Sequence, residues 1–342
     1  MALLLGFLIF SFLITSTLIV PFINLLYHLK FQRLDQITKD AFGKLTPIFD
    51  KFHAKKVGTP IGGGLLIIIV VSLLFAILFP LIKFLGVFIT QVYSVGDEIN
   101  IIFFTFISFG LLGLYDDIKK FFNGHSGQFG LPLRYKFIIQ WVLALIVSTL
   151  LFVNLKIDLI NITFLGFFHL SWAYIPVAAF IIVSFTNAFN ITDGLDGLAS
   201  GLLMIALFAF WFLSAAILDT PLSIFLALWL GSLIAFLYFN VYPARIFLGD
   251  VGALSFGATL AVVGLLLGKI IALVIIGGIF TLEIVSSLLQ LLSKRFRGKK
   301  FFPVAPLHLW LQQKGWEEPK IVMRAWLAGI ILALFGVWLA VI

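Results

Sequence analysis

Two adjacent carboxylates, Asp116 and Asp117, end a long apolar segment and are followed by Lys119 and Lys120. Adjacent carboxylates repel each other, and a membrane edge disfavours both unless a divalent cation or a lysine neutralises them. The pair therefore indicates either a cation-binding reaction site or, more simply, a solvated helix end.

A second polar cluster occupies residues 187–197 (NAFNITDGLDG), again between apolar segments. A tight turn accounts for two or three of its Asn, Asp and Gly residues, but not for all of them. Asp193 and Asp196 are three residues apart, so any helical conformation places both on one face. That arrangement suits contact with a metal ion, a ribose or a cationic group.

A third carboxylate, Asp250, lies close to two glycines in residues 240–252 (NVYPARIFLGDVG). It either caps the helix that follows or joins the other carboxylates on one membrane face. Residues 55–64 (KKVGTPIGGG) combine lysines with glycines, which let a backbone approach a phosphate closely. They lack the Gly-Lys-Ser/Thr of a Walker loop, and glycines alone also indicate close helix packing.

Residues 292–321 are rich in Lys and Arg and contain His308, while Glu283 lies inside the preceding apolar segment. A basic stretch beside a membrane usually serves as an orientation signal or contacts anionic lipids. A single histidine is more often structural than catalytic. An ionisable residue within a span marks a functional or structural polar contact, but the spacing names no partner for Glu283.

Membrane helices must position these residues, because the 342-residue chain is 62% apolar and only 11% charged. Globular domains contain about 25% charged residues, so a soluble fold is excluded. The chain has no cysteine, which excludes disulfides, thiolate nucleophiles and Cys-ligated zinc. We expect a single polytopic domain over residues 1–342.

Ten apolar segments match the roughly 20 residues that a spanning helix needs. They cover residues 3–26, 60–82, 99–114, 136–154, 172–188, 197–218, 222–239, 253–268, 270–291 and 322–341. Of the 23 Lys and Arg residues, all but Lys83, Lys156 and Lys269 lie in or beside alternate loops. Because Lys and Arg collect on the cytoplasmic side, this pattern predicts an all-α bundle of ten transmembrane helices with both termini periplasmic.

The same pattern places every candidate residue at the cytoplasmic face, in or next to loops 28–59, 115–135, 189–196, 240–252 and 292–321. Clustered carboxylates predict Mg²⁺ held with water and substrate phosphates. The basic surroundings predict a phosphate-bearing substrate, and the membrane edge predicts a lipid as the second substrate. These are the components that phosphoryl transfer requires.

The motifs together resemble those of the phospho-N-acetylmuramoyl-pentapeptide transferases, within the superfamily of polyprenyl-phosphate N-acetylhexosamine-1-phosphate transferases. The similarity runs over almost the whole chain and includes residues 56–63, 116–120, 187–197, 240–244, 247–252 and 305–316. The resemblance implies a ten-helix bundle in the bacterial inner membrane, with both termini periplasmic and the active site cytoplasmic.

The activity implied by this resemblance is Mg²⁺-dependent transfer of phospho-MurNAc-pentapeptide from its UDP-linked donor to undecaprenyl phosphate. The products are lipid I and UMP, in the first membrane step of peptidoglycan synthesis. The implied partners are these two substrates and membrane lipids, without nucleic acid, and members of the family are often homodimers.

The resemblance also implies roles for individual residues. Asp116 matches a carboxylate proposed to deprotonate the lipid phosphate, Asp117 and Asp250 match Mg²⁺-associated carboxylates, and His308 matches a catalytic position. Phe247 matches an aromatic ring that stacks on uracil. The remaining matches are substrate-binding positions: Lys56, Lys136, Asn190, Asp193, Asp196, Asn240 and Gln290.

Two departures from the family pattern bear on the donor. His308-Leu309-Trp310 replaces three consecutive histidines, and Ile61-Gly62 replaces Thr-Met. The first departure favours, weakly, a related transferase that uses another UDP-amino sugar such as UDP-N-acetylglucosamine, while residues 314–316 oppose it. A transporter or lipid-binding protein is the other alternative, although intramembrane carboxylates of transporters usually lie near the bilayer midplane.

Overall fold

The computed structural model describes residues 2–32, 52, 56–84, 86–123, 130–162 and 165–342. Its α-helices are α1 (Ala2–His28), α2 (Gly63–Phe84), α3 (Val95–Asn123), α4 (Leu133–Val153), α5 (Tyr174–Thr192), α6 (Leu198–Ala216), α7 (Thr220–Asn240), α8 (Gly249–Leu266), α9 (Ile270–Ile276), α10 (Gly278–Arg297), α11 (Leu307–Gln313) and α12 (Glu318–Val341). Strands β1 (Leu159–Ile162) and β2 (Gly166–His169) pair antiparallel between α4 and α5, with Leu159 opposite His169.

Within the described ranges, nine helices are long and apolar enough to cross a membrane, and α9 with α10 makes a tenth if the bent pair is one span. Almost all regular structure in these ranges is helical. The chain is therefore an all-helical, multi-pass membrane protein, as the composition predicts.

The expected continuous span over 270–291 is wrong, because α9 and α10 meet at Gly277 with a bend of 81°. A Cβ atom on Gly277 would lie 2.7 Å from the ring of Phe185, and one on Gly278 would lie 2.9 Å from Leu332. Glycines also weaken a helix. The Gly-Gly pair thus allows the helix to break while neighbouring side chains pack against the break.

Helix α3 extends well past the predicted end at residue 114, so Asp116 and Asp117 lie on the helix rather than at its end. The side chain of Lys120 pairs with both, at the i,i+4 and i,i+3 spacings. Pairs at these spacings stabilise a helix. They let α3 continue where a run of uncompensated acidic residues would disfavour it.

Helices α7 and α8 form the centre of the bundle, with 83% and 89% of their spans buried against 22% for α1. The indole of Trp229 on α7 packs edge-on against Phe106 of α3 and Phe256 of α8, with ring centroids 5.4 Å apart in both pairs. These fully buried rings fix α3 and α8 against α7, and both α3 and α8 carry site residues.

Opposite ends of the bundle are distinguished by a contact between α3 and α4. The amide of Asn154, just after α4, donates to Asp97 in the first turn of α3 at 3.3 Å. The start of α3, the end of α4 and the β-hairpin therefore share one end. The end of α3 and the start of α4, with Asp116 and Lys136, lie at the other.

Candidate active site

Three carboxylates and two lysines meet where α3, α4 and α8 converge, and we call them the carboxylate–lysine cluster: Asp116, Asp117, Lys120, Lys136 and Asp250. The Nζ atom of Lys120 lies 2.6 Å from Asp250, 3.0 Å from Asp116 and 3.9 Å from Asp117. The Nζ atom of Lys136 lies 2.5 Å from Asp250 and 3.0 Å from Asp116. Acidic groups that are up to 134 residues apart in sequence thus share two ammonium groups.

Glycines bring the backbones of α3 and α8 close enough for this cluster. A Cβ atom on Gly113 of α3 would collide with the backbone of Asp250. Gly249 begins α8 with a φ of +75°, and a Cβ there would lie 2.6 Å from the Asp117 carboxylate. The Val251 N–H donates to that carboxylate at 3.0 Å, so Asp117 lies at the positive N-terminal end of α8.

Asp116 connects α3 to the start of α4. Its Oδ1 atom accepts a hydrogen bond from the Leu131 N–H at 2.6 Å, and its Oδ2 atom accepts one from Lys136 at 3.0 Å. Only 2% of the side chain is exposed. In this structure Asp116 therefore orients Lys136 and the segment that precedes α4.

Lys120 belongs to the cluster, although it was not among the site residues predicted from the sequence. Its side chain is 47% exposed, whereas that of Lys136 is 11% exposed, so it is the more accessible of the two cations. The signal was present in the sequence, because Lys120 is four residues after Asp116 and three after Asp117 on a predicted helix edge.

A second group of charged side chains forms the Lys56 triad: Lys56, Asp196 and Glu318. The Nζ atom of Lys56 lies 2.7 Å from Asp196 and 2.6 Å from Glu318, and it donates to the Gly194 carbonyl at 3.2 Å. All three side chains are more than nine-tenths buried. The second oxygen of Asp196 accepts the Ala244 N–H at 2.9 Å, which fastens the loop after α7.

A cleft of about 470 Å³ opens beside this triad. Its lining includes Lys56, Thr59, Asp196, Tyr242, Phe247 and Glu318. The Lys56 ammonium lies 6.0 Å from the centre of the Phe247 ring. A cleft that combines an aromatic ring with a lysine and carboxylates suits an aromatic, hydrogen-bonding ligand such as a nucleobase.

Residues 60–64 hold Phe247 in place through backbone hydrogen bonds. The Phe247 N–H donates to the Pro60 carbonyl at 2.9 Å, and the Phe247 carbonyl accepts the N–H groups of Gly62 and Gly63 at 3.1 and 2.9 Å. Gly64 packs directly on the backbone of Gly252. The glycine segment therefore joins α2 to the α7–α8 loop; Lys55, which the sequence motif included, lies outside the described residues.

Asp193 directly follows the last residue of α5. Burial raises the pKa of Asp193 to about 7, and the Lys56 ammonium opposes that shift while Asp250, Asp196 and Asp117 reinforce it. Charged residues of both groups thus influence the protonation of this carboxyl.

The two predicted asparagine positions, Asn240 and Asn190, differ in burial. Asn240 is buried, with its amide donating to the Ile246 carbonyl at 2.9 Å and accepting from the Ser200 hydroxyl at 2.5 Å. It therefore fastens the turn that carries Phe247. Asn190 is half-buried on the last turn of α5, at the same end as the cluster.

Gln290 of α10 is also engaged by the chain itself. Its Oε1 atom accepts the N–H groups of Phe301 and Phe302 at 2.9 Å, and its amide donates to the Phe302 carbonyl at 3.0 Å. The side chain is buried. In the structure Gln290 therefore holds the segment between α10 and α11.

His308 pairs with Glu283, the residue for which the sequence named no partner. Its Nδ1 atom lies 3.1 Å from Glu283 Oε2, and its backbone N–H donates to Glu283 Oε1 at 3.1 Å. The Nε2 atom is buried without a hydrogen-bond partner among the described residues, and a Cβ on Gly194 would lie 2.6 Å from it. His308 thus packs behind the loop that carries Asp193 and Asp196.

The carboxylate–lysine cluster supplies oxygen ligands of the kind that Mg²⁺ prefers. Among the described residues, no three His, Asp or Glu side chains form a group that could by itself hold a metal ion. Mg²⁺ commonly takes one or two carboxylates and completes its shell with water and substrate phosphates. Asp117 and Asp250, which share Lys120 within 3.9 Å, fit such a partial site.

Fold and site together define a multi-pass membrane protein with acidic and basic side chains gathered at one end of a helical bundle. Residues 99–268, from α3 through α8, match the family model of glycosyl transferase family 4. This region contains the three carboxylates of the cluster, both of its lysines, and Asp193 and Asp196.

Similar proteins extend the match to nearly the full chain. A phospho-N-acetylmuramoyl-pentapeptide-transferase of Bacillus subtilis is 34% identical over 99% of this chain and 96% of its own. One of Bacillus cytotoxicus is 34% identical over 97% of this chain and 96% of its own, and one of Pelagibacter ubique is 36% identical over 85% and 83%. The chain belongs to the phospho-N-acetylmuramoyl-pentapeptide transferase family, and it is a transferase rather than a transporter.

Proposed function

We propose that this enzyme transfers phospho-MurNAc-pentapeptide from a UDP-linked donor to undecaprenyl phosphate and releases lipid I and UMP. The observation that carries the proposal is the convergence of Asp117 and Asp250 with two lysines at one end of the bundle. Relatives that carry this activity in their names match the chain over nearly its full length.

The two charged groups suit the two parts of the donor. Lys120 and Lys136 can hold the phosphates of the donor and the lipid, because ammonium groups bind phosphate as point charges. The cleft beside Phe247 and the Lys56 triad suits the uridine, which stacks on an aromatic ring and accepts hydrogen bonds.

The reaction itself needs no side-chain nucleophile. An oxygen of the lipid phosphate attacks the donor phosphorus next to the sugar, a new P–O bond forms there, and the bond from that phosphorus to the UMP oxygen breaks. UMP leaves with that electron pair. Lys120 and Lys136 stabilise the negative charge that spreads over the transferred group, and Asp116 keeps Lys136 in position.

Mg²⁺, when bound at Asp117 and Asp250, supplies charge neutralisation between the reacting phosphates. The chain's own contribution is to hold these carboxylates in place through the start of α8 and the two lysines. Lys120, whose side chain is 47% exposed, would be available to pair with phosphates.

The proposed topology follows from the distribution of Lys and Arg. We infer ten membrane crossings, with α9 and α10 counted together, both termini on the periplasmic side and the site at the cytoplasmic face of the inner membrane. This orientation gives the site access to a soluble nucleotide donor and to a lipid whose phosphate lies at the membrane surface.

Purified protein in nanodiscs with undecaprenyl phosphate tests the proposal. UDP-MurNAc-pentapeptide and UDP-N-acetylglucosamine are supplied separately, and UMP and the labelled lipid product are measured. We expect UMP and lipid I from the first donor. Product from UDP-N-acetylglucosamine alone would support the alternative transferase, and UMP release from neither donor would contradict both.

A further inference from the structure

Glu318, at the beginning of α12, makes two short hydrogen bonds through a single oxygen atom. Its Oε1 atom accepts from the Lys56 ammonium at 2.6 Å and from the Asp196 backbone N–H at 2.6 Å. Glu318 lies within the charged stretch 292–321, but it was not among the site residues predicted from the sequence. It nevertheless joins α12 both to Lys56, which precedes the glycine segment, and to the loop after α5.

These two contacts determine the geometry of the groups that line the cleft. With Glu318 in place, Lys56 is held between two carboxylates and the Gly194 carbonyl. Asp196 is held by two contacts. Its backbone N–H donates to Glu318, and the Asp196 carboxylate accepts the Ala244 N–H. Charge-assisted hydrogen bonds of buried groups are strong and directional.

We propose that Glu318 is a positioning residue for the nucleotide donor. It fixes the Lys56 ammonium and the 193–197 loop in the arrangement that binds the UDP part, and it does not contact the reacting phosphates. The inference rests on the proposed function for the identity of the donor, but it concerns the cleft and not the chemistry of transfer.

The effect of Glu318 should therefore appear in donor binding. The lysines that face the transferred phosphate are held by Asp116 and Asp250 on other helices, whereas the hydrogen bonds of Glu318 go to Lys56 and to the Asp196 backbone. A change at Glu318 should raise the donor KM and leave kcat and the KM for the lipid nearly unchanged.

The test compares wild-type protein with Glu318→Gln, and uses Asp97→Asn as a control that also removes an acidic side chain from the first turn of a membrane helix, at the opposite end of the bundle. Steady-state kinetics and the Kd for UDP, measured by calorimetry in nanodiscs, are the readouts. We expect the donor KM and the UDP Kd to rise about tenfold, the size of one lost charge-assisted hydrogen bond. Asp97→Asn should match the wild type.

Two further variants separate positioning from general destabilisation. Glu318→Asp keeps the charge and should recover most of the UDP affinity. In a protein that already carries Lys56→Gln, Glu318→Gln should cause little further loss of UDP affinity. Substitutions of two residues that act through the same contact have non-additive effects. This background also serves if Glu318→Gln alone fails to fold.

A UDP Kd and a donor KM within twofold of wild type in Glu318→Gln would overturn the inference, as would a fall in kcat with an unchanged donor KM. Full additivity with Lys56→Gln would also contradict it. If Glu318→Gln weakens UDP binding but the wild-type protein releases no UMP, the positioning role stands and the proposed function is overturned. If the wild-type protein forms lipid I but Glu318→Gln binds UDP as tightly as the wild type, the proposed function stands and the positioning role is overturned.

Discussion

The Lys136 ammonium on α4 lies 2.5 Å from the Asp250 carboxylate on α8, although 114 residues separate them in sequence. Neither residue has a comparable partner within its own helix. The contact exists because α3 lies between the two helices, packs closely on α8 and supplies Asp116 to orient the lysine. The candidate reaction centre is therefore a property of the bundle and not of any single motif.

Replacing Asp250 with Asn should abolish UMP release while the protein stays folded. The substitution keeps the shape of the side chain but removes the charge that holds Lys120, Lys136 and the expected Mg²⁺. We expect a loss of at least about 100-fold in kcat, comparable to removal of a main electrostatic contact. Asp117→Asn should behave similarly.

Asp158→Asn is the matched control, because this carboxylate pairs with His169 in the β-hairpin at the opposite end. It should retain wild-type turnover. Normal UMP release by Asp250→Asn or Asp117→Asn, measured beside a thermal unfolding curve, would remove that residue from the metal-binding role.

Removal of divalent cations should stop the reaction and leave the helical fold intact. Exhaustive dialysis against EDTA is expected to eliminate UMP release, and added Mg²⁺ should restore it because the cluster supplies only part of a coordination shell. Mg²⁺ should also raise the melting temperature of wild type, as a ligand of the folded state does, but not that of Asp250→Asn. Full activity in EDTA would refute the requirement.

The stability of the protein should fall as the pH rises towards 7, in part because of Asp193. Burial raises the pKa of this carboxyl from 3.8 to about 7, so the folded state binds a proton that the unfolded chain has already released. Between these two values the folded state loses stability with increasing pH. Melting temperatures measured across that range should decrease, and Asp193→Asn should show a flatter dependence.

The control for this experiment is Asp97→Asn, which should keep the wild-type slope. An unchanged slope in Asp193→Asn would show that another group causes the pH dependence. The comparison needs only folded protein in detergent and does not depend on the reaction.

His308→Ala should lower the rate of UMP release by about 100-fold, the scale typical of a lost catalytic or orienting group. The histidine packs on Gly194 and is held by Glu283, so its loss should disturb the loop that carries Asp193 and Asp196. Glu283→Gln should produce a smaller loss in the same direction. His169→Ala in the exposed hairpin is the control, and a near-normal rate in His308→Ala would make this residue purely structural.

Gly113→Ala should destabilise the protein by about 1–3 kcal/mol, the usual effect of overpacking, and also reduce activity. The new Cβ would collide with the backbone of Asp250 and force α3 and α8 apart. Gly96→Ala, at the start of the same helix, meets nothing within 4 Å and should be tolerated. Equal melting temperatures and rates for the two variants would contradict the proposed close contact.

Much of the fold could be predicted from hydropathy alone, because a bilayer demands long apolar helices. The exceptions are informative. The apolar content of 270–291 concealed the break at Gly277, which depends on Phe185 and Leu332 from other helices. The end of α3 was placed too early because the pairing of Lys120 with Asp116 outweighs the cost of polar residues there.

The candidate site was only partly predictable. Asp116, Asp117 and Asp250 were found because clustered carboxylates at a membrane edge are costly without a purpose. The burial of the Asn240 and Gln290 amides in loop contacts left no trace in the spacing. Glu318 was missed because an acidic residue at the start of a helix is common.

The sequence by itself determined that this is a multi-pass membrane protein, that most of its charges lie in loops between apolar segments, and which family it resembles, because hydropathy and charge act locally along the chain. Only the tertiary structure decided which charges share a partner. Lys136 contacts Asp250 and Lys56 contacts Glu318, although more than a hundred residues separate the partners in each pair. Such contacts depend on which helices pack together, and the local sequence does not specify that.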